Sequence, residues 1–183
     1  NIRLGEELVL PSNLYIWATM NTSDQSLFPI DSAFKRRWEW KYIPITQGKD
    51  RETGKLMQWS IEAEGVNYDW WSFLEVMNKR VGDITSSEDK KLGFFFCKAV
   101  NGKISAETFV GKVIFYLWND VFKDFGAKAT NPFAFKNAEG GWVVCPFSSF
   151  FDPYTGEINL GQIHGFMYNL GIIPELEPEI QAA

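Results

Sequence analysis

Between Ser105 and Gly126 the segment SAETFVGKVIFYLWNDVFKDFG has the strongest helical pattern in the chain, and it constrains the fold more than any other stretch. Ser105 is placed to cap the helix. Glu107 and Thr108 lie in the first turn, and Gly126 ends it. A second helix is predicted in YDWWSFLEVMNKRVGD, where apolar residues recur at 70, 73, 74, 77 and 81. Composition shows what such helices pack with. The chain has 16 Phe and 8 Trp among 183 residues, so its core is built from large flat side chains. A chain of this length can bury a sizeable core.

The N-terminal part reads differently. In EELVLPSNLYIWATMN a Pro-Ser-Asn turn leads into a strand at Leu14–Thr19 that is apolar on both faces, as in a central strand of a parallel sheet. Asp31 is a good N-cap for a short helix through Ser32–Arg37, and WEWKYIPI reads as a second strand ended by Pro44. The polar, glycine-bearing stretch that follows is a loop or exposed hairpin. Phe94–Val100 is strand-like and leads to an Asn-Gly turn. In the tail, FAFKNAEGGWVVCPFSSFF gives two short strands around a Gly-Gly turn, and LGQIHGFMYNLGI gives a closing short helix.

Charge and composition exclude several functions. A net charge of −5 argues against a broad basic face for duplex DNA or an anionic membrane. Cys97, Cys145 and the single His164 have no metal-ligand spacing, so both cysteines read as reduced core residues of a cytoplasmic protein. No signal peptide is visible, and no apolar run reaches the roughly 20 residues of a membrane span. Gly48 to Gly54-Lys55 has the wrong spacing for a phosphate loop, with Leu56 where a hydroxyl belongs. Asp152-Pro153-Tyr154-Thr155-Gly156 reads as a plain turn.

Chemistry concentrates in MNTSDQSLFPIDSAFKRRWEW. Asn21 sits at the carboxyl end of the predicted strand, where ligands of parallel sheets bind. A neutral amide there can orient a water without adding charge. Arg36 and Arg37 end the short helix, from which a guanidinium can reach a neighbouring subunit's phosphates. The same residues have a purely structural reading: cations at a helix C-terminus offset its dipole, and Trp38 can stack on a guanidinium.

This block resembles M-N-T-A-D-R-S-L-x-x-x-D-x-A-L-R-R-R-F of the McrB-type AAA+ GTPases, the motor subunits of modification-dependent restriction systems. The resemblance spans Leu14 to about Pro44 and extends more weakly to Gly93 and the aromatic run after it. It implies an α+β chain: the C-terminal part of an AAA+ α/β core, then a helical lid and a small β-hairpin and helix tail. The corresponding divisions are 1–46 for the core strands and finger helix, 47–67 for the loop, 68–130 for the lid and 131–183 for the tail. It also implies that Asn21 positions the hydrolytic water and that Asp24 organises that loop, both against the nucleotide. Arg36 and Arg37 would be fingers acting in trans, with Asp31 opening their helix. Gln25 stands where the family has Arg, Lys35 replaces the first of three arginines, and Trp38 replaces Phe.

The implied function is GTP or ATP hydrolysis with Mg2+ in a homo-oligomeric ring, a hexamer, coupled to DNA translocation and cleavage by an McrC-like nuclease. DNA contact would be indirect and there would be no membrane contact. The phosphate- and magnesium-binding segments would lie upstream of Asn1, leaving the isolated chain inactive. A second expectation is a non-catalytic lid and assembly module whose aromatic surfaces hold partners together. A third is direct nucleic-acid binding through Lys35-Arg36-Arg37, three cations on an acidic chain, with a steep salt dependence.

Overall fold

The computed structural model describes residues 10–19 and 31–175. They belong to two compact units, Asn1–Trp40 and Lys41–Ala183. Among the described residues the architecture is α+β, with four helices, a mixed three-stranded sheet and a two-stranded hairpin.

In the first unit the Pro-Ser-Asn turn forms, closed by Leu14 N–H donating to Pro11 O at 3.1 Å. The predicted strand at Leu14–Thr19 does not form: among the described residues the segment has no sheet partner. Its side chains are exposed, Tyr15 at 82 % and Trp17 at 86 %. Among the described residues WEWKYIPI has no ladder either. The reason is the same for both. A strand exists only as part of a hydrogen-bonded sheet, and strand propensity cannot supply the neighbour. Helix α1 spans Ser32–Lys35, capped by the Asp31 carboxylate, which accepts from Phe34 N–H at 2.6 Å as expected.

The second unit has a hairpin in and just beyond the stretch that the sequence predicts as a loop or exposed hairpin. Strands β1 (Ser60–Ala63) and β2 (Val66–Asp69) pair antiparallel across Glu64-Gly65. Both turn residues have positive φ, +52° and +76°, the backbone a tight two-residue hairpin needs. β3 (Lys103–Ser105) then joins the other side of β1 in parallel, giving the order β2-β1-β3. Ile61 sits opposite both Tyr68 and Ile104, and all three are buried.

Helix α2 (Trp70–Thr85) leaves β2 directly, capped by Asp69, and buries Trp70, Phe73, Leu74, Met77 and Val81. These are the five positions marked by the apolar spacing. Helix α3 begins at Ala106–Thr108 with the Ser105 hydroxyl accepting from Thr108 N–H. It continues through two wider, π-type turns, Phe109–Ile114 and Leu117–Phe122. Nothing in the apolar spacing separates these turns from α geometry, because both bury 109, 110, 113, 114, 117, 121 and 122. The two helices meet where Phe73 packs edge-to-face on Phe109, ring centroids 5.2 Å apart.

The expected Phe94–Val100 strand is replaced by a turn, with only Val100 bridging to Lys103. Trp70 explains this. Its indole N–H donates to Phe94 O at 2.8 Å and takes a carbonyl that a strand would have used. Strands β4 (Ala134–Lys136) and β5 (Trp142–Val144) form the tail hairpin around the Gly-Gly turn. Helix α4 (Leu160–Leu170) follows, capped by Asn159 and ended by Gly171 at φ +74°. Phe133, Phe150 and Phe166 join it to the same core.

Candidate functional site

Of the residues singled out in the sequence, Asn21, Asp24 and Gln25 lie outside the described residues, and Arg36 and Arg37 lie within them. Arg36 closes α1, its N–H donating to Ser32 O at 3.0 Å, and Arg37 N–H donates to Phe34 O at 3.1 Å. Both side chains are exposed, and among the described residues neither makes an ion pair. Aromatic rings surround this turn. Phe34 and Trp38 pack at 5.9 Å between centroids, and the Trp40 indole donates to Lys35 O at 3.0 Å. The helix buries none of its own residues.

In the second unit, His164 is half-buried and its Nδ1 lies 2.7 Å from the Tyr68 hydroxyl. This places it as a packed residue, as a lone histidine usually is. The Cys145 thiol is buried between Ser149 Oγ at 2.7 Å and Gln162 Nε2 at 3.1 Å. Sequence spacing carries no signal for this group, because β5, the turn after it and α4 bring it together. Burial pushes both thiols up, Cys97 to about 11, so neither forms a ready thiolate near neutral pH. Both cysteines are free, and among the described residues no three His, Cys, Asp or Glu side chains gather as a metal site.

Two surface loops share one construction. In Asp50-Arg51-Glu52-Thr53-Gly54-Lys55, the Asp50 carboxylate accepts from Glu52 N–H, Thr53 N–H and the Thr53 hydroxyl. In Asp152-Pro153-Tyr154-Thr155-Gly156-Glu157, the Asp152 carboxylate accepts from Tyr154 and Thr155 N–H. Each loop has its glycine at positive φ and is flanked by an antiparallel bridge, Lys49 to Leu56 and Phe151 to Ile158. The carboxylate is therefore consumed by the turn itself, which settles the Asp152 segment as a plain turn.

A pH dependence follows from this geometry. The Thr53 N–H holds Asp50 below the usual aspartate range, and the Thr155 N–H does the same for Asp152. A depressed folded-state value means the turns are fully supported above the ordinary aspartate range. They lose that support as pH falls through the lower folded value. Amide-exchange protection at Thr53 and Thr155 is expected to drop on acidification below the usual range, while α2 amides keep theirs. Protection that stays flat at both threonines would contradict the assignment.

Comparison with known proteins gives one informative match. No family model matches the chain, and no solved structure matches it. The chain is 37 % identical over 159 residues to the type II restriction enzyme BsuMI component YdiS of Bacillus subtilis strain 168. The match covers 85 % of this chain and 41 % of that protein, so the chain spans well under half the length of the relative.

This match overturns the McrB-type resemblance. The relative is named as part of a type II restriction enzyme, and the short block that carried the resemblance is outweighed by identity across most of the chain. The NTPase motor and the GTPase assignment fall with it. The structure gives the physical counterpart: the two strands that an α/β core required are unpaired among the described residues. No described helix is long and apolar enough to cross a membrane.

Proposed function

We propose that this chain is part of a type II restriction enzyme component and works in assembly with that enzyme's other components. The observation that carries the reading is the 37 % identity over 159 residues to a protein named as such a component. The surface is consistent with assembly. Leu14, Tyr15, Ile16 and Trp17 are large apolar side chains in sequence, all exposed and apolar on both faces. Folded monomers rarely leave a contiguous patch of this kind in water, and such patches mark protein contacts. The chemistry of restriction then belongs to the assembled enzyme.

The test is transformation of the native host with unmodified plasmid DNA. Deleting the gene is expected to raise transformation efficiency at least about tenfold relative to plasmid modified in that host. Tyr15→Asp with Trp17→Asp is expected to reproduce the deletion while the purified chain keeps its far-ultraviolet circular dichroism. Equal efficiencies for deletion and wild type would remove the restriction reading. A fully active double variant would remove the assembly surface from it.

A further inference from the structure

We propose that the exposed end of α1, with Arg36, Arg37 and the Trp40 ring, binds single-stranded nucleic acid. The proposal rests on the geometry of the first unit and does not require the restriction reading.

The electrostatic argument comes first. Residues 34–40 carry three cations, Lys35, Arg36 and Arg37, and one carboxylate, Glu39. Asp31 is nearby, but its carboxylate is held by Phe34 N–H. The C-terminal carbonyls of a helix usually repel anions, yet here most of them are already used. Asp31 O accepts from Lys35, Ser32 O from Arg36, Phe34 O from Arg37, and Lys35 O from both Trp38 N–H and the Trp40 indole. The turn therefore presents guanidinium groups to solvent and few bare acceptors. Two exposed guanidinium groups in consecutive positions, without an ion-pair partner among the described residues, suit successive phosphates of a chain.

The aromatic argument is independent of charge. Trp40 is 60 % exposed although its indole N–H is fixed to the carbonyl that precedes Arg36. A ring that is tethered at its edge and still mostly exposed can serve as a stacking platform and is not a core residue. Phe34, 45 % exposed, packs against Trp38 on the same turn. α1 buries no residue, so core packing does not account for this set of side chains. Cations that follow a backbone beside rings that accept unpaired bases are the recurring chemistry of single-strand binding. Duplex DNA offers the phosphates but keeps its bases stacked, so it would use the arginines without the rings. The overall charge of −5 keeps this a local site with a small electrostatic footprint.

The experiment is fluorescence anisotropy of the full chain with 5′-fluorescein-labelled oligothymidine and with a duplex of equal length, over a range of sodium chloride concentrations. Binding to oligothymidine is expected at low salt, with log K falling against log salt at a slope of about −2, roughly 0.7 for each of three cations. Arg36→Ala and Arg37→Ala should each flatten that slope by about 0.7. Trp40→Ala should weaken binding roughly tenfold with the slope kept, and Trp40→Phe should restore most of it. All three positions changed are exposed or anchored only locally, and circular dichroism verifies the fold. No binding at low salt, an unchanged slope in the double arginine variant, or duplex binding as tight as single-strand binding would each overturn the proposal.

Discussion

Replacing Trp70 with alanine is expected to lower stability by about 3–5 kcal/mol, the range for deleting a large aromatic side chain from a core. Trp70 is fully buried at the point where β2 becomes α2. Its ring stacks on Phe73 at 5.5 Å between centroids, and Phe73 in turn meets Phe109 of α3. Its indole N–H holds the Phe94 carbonyl at 2.8 Å, so the residue ties a loop to the sheet and both long helices. Alanine leaves a cavity and an unpaired buried carbonyl together. Trp70→Phe reduces the cavity while still losing the hydrogen bond, so it is expected to cost less than the alanine variant, about 1–3 kcal/mol. Urea denaturation followed by circular dichroism measures both. A loss below about 1 kcal/mol for the alanine variant would show that the core closes without this anchor.

The second large effect is expected at Gly48. A methyl group there would lie 2.5 Å and 2.6 Å from two atoms of the Phe94 ring and 2.9 Å from Phe95. The ring cannot easily move aside. It packs on Trp59 at 4.6 Å between centroids, and its own carbonyl is the one held by Trp70. Gly48 is also pinned, its carbonyl accepting from Met57 N–H at 2.8 Å. Gly48→Ala should therefore cost about 1–3 kcal/mol through overpacking. Both substitutions converge on Phe94, so their effects should not add. Removing Trp70 frees the ring to retreat from the new methyl group, and the double variant should fall short of the sum by more than about 0.5 kcal/mol. Strict additivity would mean that the two positions do not share Phe94.

Much of the second unit was legible because its signals are local. The spacing at 70, 73, 74, 77 and 81 needs only the helical period to be read, and the structure buries those five residues. Ser105 acts on a backbone group within one turn of itself, as Asp31 does in the first unit. The Gly-Gly turn between β4 and β5 is likewise set by backbone freedom, Gly140 lying at φ +80°. The candidate site was legible in part, since the cations and rings of residues 34–40 stand together in sequence. Their use was not legible. The same letters fit a finger at a nucleotide, a capped helix end or a nucleic-acid contact, because a short run of cations and rings does not specify what it meets.

What the sequence determined by itself was the placement of caps, turns and apolar faces, because each depends on residues within about one turn or one hairpin of one another. What only the tertiary structure decided was pairing at a distance. β1 lies between β2, its hairpin neighbour, and β3, some forty residues on. The Phe94 carbonyl goes to an indole instead of a strand, and Cys145 meets Gln162 across a turn. Leu14–Thr19 marks the limit from the other side. Its letters specify a strand apolar on both faces, but a strand is completed by neighbours, and the described residues supply none.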